Sequence, residues 1–156
     1  MTIPLRQMPT AQNTLFIERH FDAPPAVVFR LWTSPDLLAQ WWGPRDFVSH
    51  SIRMDFRIDG RWSAVVRSPR GEESAMSGTY RDIVTDRRIA FSFRSDADSR
   101  DTRIVATFEA VNNTTRLGFH QSPFDSENER EAYGQTWGEC FDRLESYLLR
   151  EHWDGS

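Results

Sequence analysis

Arg19 and His50 are the two residues of this chain placed oddly enough to do chemistry. Arg19 stands between Ile17 and Phe21 in one alternating run, and His50 between Val48 and Ile52 in another. A guanidinium on an apolar face is costly unless paired, and a carboxylate on an apolar ligand would pair it through parallel hydrogen bonds. The same arginine near a strand end could instead reach a carboxylate of the protein or water. A lone inward histidine is more often a satisfied core residue than a functional one. Tyr80 and Gln121 are two further polar residues at inward positions. An activity that needs only one positioned acid or base could use His50, Arg19 or Tyr80.

Other chemistries lack their residues. His20, His50, His120 and His152 show no ligand-type spacing, and the single cysteine, Cys140, excludes an internal disulfide and a cysteine-based zinc site. No metal and no cofactor is expected. Cys140 falls beside an apolar stripe and reads as inert packing. All 19 basic residues are arginine. Schiff-base chemistry and a P-loop lysine are therefore both ruled out. No G-x-S-x-G nucleophile turn occurs. A net charge of −4 argues against a nucleic-acid partner, which usually demands a basic face.

The elements that would position these groups follow from periodicity. From Ser126 onward, Tyr133, Trp137, Phe141, Leu144 and Leu148 form one helical stripe. Ser126 with Glu129 reads as the capping box that starts it. Leu15 to Phe21 alternates as a first strand. Pro24-Pro25 opens a short helix, and Thr33-Ser34-Pro35-Asp36 stops it and caps a second, Asp36 to Trp42, which Gly43-Pro44 ends.

Six strands are expected next. Their inward faces are Val48, His50, Ile52 and Met54; Trp62, Ala64 and Val66; Met76, Gly78 and Tyr80; Ile89, Phe91 and Phe93; Ile104, Ala106 and Phe108; and Leu117, Phe119 and Gln121. Asp59-Gly60, Pro69-Arg70-Gly71, Asp86-Arg87 and Asn112-Asn113 mark turns. Only a sheet can cover the long helix, and a curved sheet around one large helix leaves a cavity between them.

At 156 residues, with 38% apolar and 27% charged residues, the chain reads as one soluble globular domain. Residues 1–13 are expected to be a flexible N-terminal arm, 14–152 the domain and 153–156 a tail. No apolar run approaches the roughly 20 residues of a membrane span. MTIPLRQMPTAQN has no signal-peptide pattern, and a cytoplasmic location is expected.

The segments FDAPPAVVFRLWTSPDLLAQWWGP at 21–44, MDFRIDGRW at 54–62, SGTYRDI at 77–83 and WGECFDRLESYL at 137–148 resemble the START-like (SRPBCC, helix-grip) superfamily, which includes birch-pollen-allergen relatives and polyketide cyclases. The similarity is closer to its branch of activator of heat shock protein 90 ATPase homologues. Ala23-Pro24 and Trp41-Trp42-Gly43-Pro44 match that branch well. Its double glycine before the third strand is Asp59-Gly60 here. The resemblance covers roughly residues 14–150. It implies an α+β helix-grip fold: a seven-stranded antiparallel sheet around the long C-terminal helix, two short helices between strands 1 and 2, and space for apolar ligands.

The wall of such a cavity is expected to include Trp62, Tyr80, Phe91, Phe93, Phe108, Phe119, Tyr133, Trp137 and Phe141. Aromatic residues line pockets, although buried ones also form plain core. Gly134 and Gly138 each cost the helix about 1 kcal/mol relative to alanine. They leave room beside Trp137, either for close packing on the sheet or for a ligand. Arg19 and His50 complete the candidate set, because the helix-grip order would make strands 1 and 2 neighbours.

Three functions follow. The first is binding of a small apolar molecule, anionic if Arg19 faces inward. The second, implied by the resemblance, is a chaperone ATPase-activator-like interaction protein. Eukaryotic members use a separate N-terminal domain as well, so activation by this single domain is expected to be absent or slight. The third is a cyclase- or hydrolase-type enzyme. A homodimer is compatible with all three.

Overall fold

The computed structural model describes residues 13–96 and 100–151. Strand β1 (Leu15–Phe21) leads into two short helices, α1 (Pro25–Arg30) and α2 (Pro35–Leu38). Six strands follow: β2 (Val48–Met54), β3 (Arg61–Arg67), β4 (Glu73–Val84), β5 (Arg88–Ser95), β6 (Asp101–Val111) and β7 (Thr114–Ser122). The long helix α3 (Glu127–Arg150) ends the described fold. The strands form one antiparallel sheet in the order β1-β7-β6-β5-β4-β3-β2. This is the expected helix-grip architecture. The expected arm, Asn13 aside, and the tail lie outside the described residues.

Local chemistry explains most of it. A proline begins each short helix, where its missing N–H costs nothing. Asn112 and Asn113 both adopt positive φ, 50° and 73°, closing the tight β6–β7 hairpin. Such turns match the twist of the flanking strands, and asparagine tolerates that conformation. Ser126 Oγ accepts from the Glu129 amide at 3.1 Å and caps α3. The Glu129 carboxylate accepts from the amide of Asp125 at 3.0 Å and from Arg100, in place of the return bond to Ser126.

The inner face of the sheet is apolar along five strands, with Trp62, Ala64, Tyr80, Phe91, Ile104, Phe108, Leu117 and Phe119 all buried. Against it α3 buries Trp137, Cys140, Phe141, Leu144 and Leu148.

Two expectations fail here. β1 pairs with β7 and β2 with β3, so the first two strands are the opposite edges of the sheet and not neighbours. The chain segment containing α1 and α2 carries it from one edge to the other. The second failure is the facing of β2. The β2–β3 register shifts between His50 and Arg53, and Ser51 has φ 54°. A bulge of this kind adds a residue and inverts the side-chain alternation. Ser49, opposite Val66, is therefore buried, while Val48 is 50% exposed. His50 takes the outer face, and inward alternation resumes only at Ile52 and Met54.

Candidate functional site

The space between helix and sheet is largely filled by aromatic side chains. Trp42, in the segment after α2, is 3% exposed and enters the middle of the expected cavity. Its ring lies edge-on to Trp62 at 5.5 Å, to Trp137 at 5.2 Å and to Trp41 at 5.6 Å. Trp32 packs at right angles to Phe108, and Phe119 and Phe141 close on Trp137. Beside Trp62, Tyr80 and Phe91 only about 10 Å³ is left, the volume of roughly one water.

What remains open is a pocket of about 320 Å³ on one flank of the helix. Trp42, Gly43, Pro44 and Phe47 form one wall; Val66, Ser74, Met76, Phe93 and Ser95 of β3, β4 and β5 form another. Ala132, Tyr133, Thr136, Trp137 and Cys140 of α3 complete it. Ala132 and Thr136 are exposed, so the mouth opens along the N-terminal half of α3. The lining is mainly apolar, with hydroxyls at Ser74, Ser95, Tyr133 and Thr136.

Two devices hold these walls. Trp137 donates its indole N–H to Gln121 Oε1 at 2.8 Å, and Gln121 donates to Thr102 Oγ1 at 2.9 Å. Thr102 in turn donates to the carbonyl of Phe93 at 3.2 Å. This buried relay ties the helix wall to the β5 wall. Arg143 forms the second device, donating to the carbonyls of Gly43 at 2.8 Å, Trp42 at 3.1 Å and Pro44 at 3.4 Å. It thereby clamps the turn at Gly43, whose φ of 106° suits glycine. Burial lowers the pKa of the Arg143 guanidinium from its ordinary value. The nearby Glu139 carboxylate accepts from the amide of Arg45 at 3.0 Å.

Of the nine aromatic residues expected to wall the cavity, Phe93, Tyr133 and Trp137 line the pocket. Trp62, Tyr80 and Phe91 border the residual void, and Phe108, Phe119 and Phe141 are core. Arg19 keeps its inward register but reaches the other flank of α3. It donates to Asp142 Oδ1 at 2.9 Å, Glu145 Oε1 at 3.4 Å and the carbonyl of Gly138 at 3.2 Å. Of the two kinds of partner open to Arg19, it meets protein carboxylates and not a ligand's.

Gly138 is on that same flank, away from the pocket, and a Cβ there would meet nothing within 4 Å. A Cβ on Gly134 would meet Leu15 Cδ1 at 3.1 Å. Gly134 therefore faces β1, and neither helix glycine lines the pocket. His50, put outside by the bulge, lies 2.7 Å from Glu73 Oε2. Its inward placement, and its approach to Arg19, are both overturned.

Among the described residues no acid–base pair converges on the pocket. Arg19, His50 and Tyr80 lie in three separate places, and burial raises the Tyr80 hydroxyl above its ordinary range. Burial also pushes the Cys140 thiol up to about 12, far from thiolate reactivity at neutral pH. Among the described residues no cluster of histidine, cysteine and acidic side chains could hold a metal ion. Among the described residues no helix is long and apolar enough to cross a membrane.

The pocket lining also includes residues that alternation did not mark. Trp42, Gly43 and Pro44 belong to a motif that reads as a helix terminator, and its tryptophan pair was the available signal. Phe47 and the hydroxyls of Ser74, Ser95 and Thr136 had no comparable signature.

A seven-stranded antiparallel sheet gripping a C-terminal helix, with a pocket at their junction, defines a helix-grip protein. The family model for activator of Hsp90 ATPase homolog 1-like protein matches residues 22–149, and the chain belongs to that family. No curated protein matches it. Solved structures are similar over nearly the whole described fold. A protein from Chromobacterium violaceum has 25% identity over 86% of this chain and 96% of its own, with a TM-score of 0.79. A protein from Rhizobium leguminosarum has 29% identity over 88% and 94%, with a TM-score of 0.71. An AHSA1 protein from Silicibacter pomeroyi, at 21% identity over 89% and 99% with a TM-score of 0.78, shares the fold.

Proposed function

We propose that this protein is a binding module that takes a compact, largely apolar molecule in the pocket beside α3. The observation that carries this reading is the pocket itself: about 320 Å³, walled by Trp42, Phe93 and Trp137. That volume is at the lower end for small-molecule sites, as is the pattern of apolar walls with a few placed polar groups. A one- or two-ring compound or a medium-length chain suits it better than a long lipid. Arg19 is occupied by Asp142 and Glu145, so the reading requires no anionic head group.

The test is a thermal-shift screen of apolar acids, alcohols and aromatic ketones. A ligand selective for the native state at a hundred times its dissociation constant adds about 2.7 kcal/mol of stability. Thr136→Trp, at the exposed rim, should abolish the shifts, and Gly138→Ala, on the far flank, should keep them. The reading fails if no compound raises the melting temperature, or if Thr136→Trp leaves the shifts intact.

A second reading draws more support from the family than the first does: an interaction protein that stimulates an Hsp90-class ATPase. Its support is the match over residues 22–149. Measuring ATP turnover by such a chaperone, with and without the protein, tests it. A saturable several-fold increase would place this reading ahead of ligand binding.

A further inference from the structure

The outer face of the sheet, remote from α3, carries a second depression of about 690 Å³. Its floor is made of short hydroxyl side chains, Ser63 on β3, Ser77 and Thr79 on β4 and Ser92 on β5. Arg53, Arg61, Arg81 and Arg94 stand around it. The ladders set the spacing: Arg53 is opposite Ser63, Ser63 opposite Ser77, and Ser77 opposite Arg94, with Arg61 opposite Thr79 in the next row. At roughly 4.8 Å per strand, the row from Arg53 to Arg94 is about 14 Å long.

Of these arginines Arg94 makes a direct ion pair among the described residues, with Nε 2.8 Å from Asp101 Oδ1. The side chains of Arg53, Arg61 and Arg81 have no hydrogen bond or ion pair among the described residues. Asp101 also lines the depression and Arg81 acts on it electrostatically, so one carboxylate faces four guanidinium groups in a chain whose net charge is −4.

The floor itself is fixed. Ser92 Oγ accepts from the Thr79 amide at 2.9 Å, which leaves its own O–H to donate outward. Trp62 Nε1 donates to the Ser92 carbonyl at 3.2 Å through the opened β4–β5 ladder. Gly78 permits that approach, since a Cβ there would overlap the Ser92 carbonyl.

We propose that this outer groove binds a compact anion carrying two or more phosphate groups. The guanidinium fork matches phosphate oxygens with paired N–H donors, and the serine and threonine hydroxyls add donors from below. Several arginines around a short floor call for several charges on a small body. The acidic chain as a whole disfavours a long nucleic acid, whose binding needs an extended basic surface.

Titration calorimetry with inorganic pyrophosphate and tripolyphosphate, at low ionic strength because exposed charges are screened by salt, tests this. Binding should be one-to-one and tighter for tripolyphosphate than for pyrophosphate. Arg61→Gln and Arg81→Gln should each weaken it about tenfold or more, the scale of losing charge-assisted hydrogen bonds. Arg116→Gln, which breaks the 2.6 Å pair with Glu109 elsewhere on that face, should leave it unchanged. All three arginines are at the surface, so melting temperatures should show the variants folded. Failure of tripolyphosphate to bind, equal binding by citrate, or binding unaltered in both groove variants would overturn the proposal.

Discussion

Trp137 and Gln121 are joined by a buried hydrogen bond of 2.8 Å, the indole N–H donating to the amide oxygen. Gln121 is fully buried and Trp137 nearly so. A polar side chain is retained there because it satisfies the one polar atom of an indole otherwise surrounded by rings. Gln121→Leu strands that N–H and should cost about 1–3 kcal/mol. Urea unfolding of both singles and of the Gln121→Leu/Trp137→Phe double should show a double loss smaller than the sum. Strict additivity would mean that the bond does not couple the two.

Arg143 should matter more than its position on a half-exposed helix face suggests. Arg143→Met removes the donor to three carbonyls of the Trp42–Pro44 turn. Hydrogen bonds to a charged group carry roughly 1.5–3 kcal/mol, and partial exposure puts the expected loss near the lower figure. Hydrogen exchange should speed up at the Phe47 amide, which now donates to the Pro44 carbonyl at 3.0 Å.

The two helix glycines should respond differently to alanine. At Gly138 a Cβ enters open space, so Gly138→Ala should stabilise by about 1 kcal/mol through helix propensity alone. At Gly134 it would press on Leu15 Cδ1 at 3.1 Å. Chemical denaturation of Gly134→Ala should therefore show a smaller gain or none.

Gly78→Ala should be severe. The new methyl would overlap the Ser92 carbonyl and crowd the Trp62 indole nitrogen at 2.6 Å. Backbone on one side and a packed indole on the other leave little room to relax, and a loss of about 3 kcal/mol or more is expected. An NMR shift of the Trp62 indole proton would report the same displacement.

The Cys140 thiol provides a pH-dependent readout. Burial raises its pKa from 9.0 to about 12 in the folded protein. Its contribution to stability is thus complete below about pH 9 and is lost as the pH climbs toward 12, because the unfolded thiol ionises first. Alkylation at pH 8 should be slow in the native state and should follow unfolding when urea is added. Rapid labelling of folded protein would show that the thiol is open to solvent through the pocket.

The helical stripe from Tyr133 to Leu148, the turns at Asn112-Asn113 and Asp59-Gly60, and the inward faces of β3 to β7 were legible because their causes are local. Side-chain periods of 3.6 and 2 and the φ preferences of turn residues act within a few positions of the chain. The sequence by itself therefore determined the elements, their order and, with the quoted motifs, the fold.

Tertiary structure decided the rest. Which flank of α3 meets which strand depends on the rotation of the helix on the sheet, and a one-dimensional stripe does not carry that angle. The same rotation put Gly138 on the flank that Arg19 of β1 reaches, and Thr136 and Cys140 on the side of the pocket. The bulge at Ser51 inverted β2 without a glycine to announce it, and so His50 faces outward. Trp42 occupies the centre of the expected cavity because a segment distant in sequence folds into it. Volume left unfilled is a property of all the packed parts together, and no single segment of the chain encodes it.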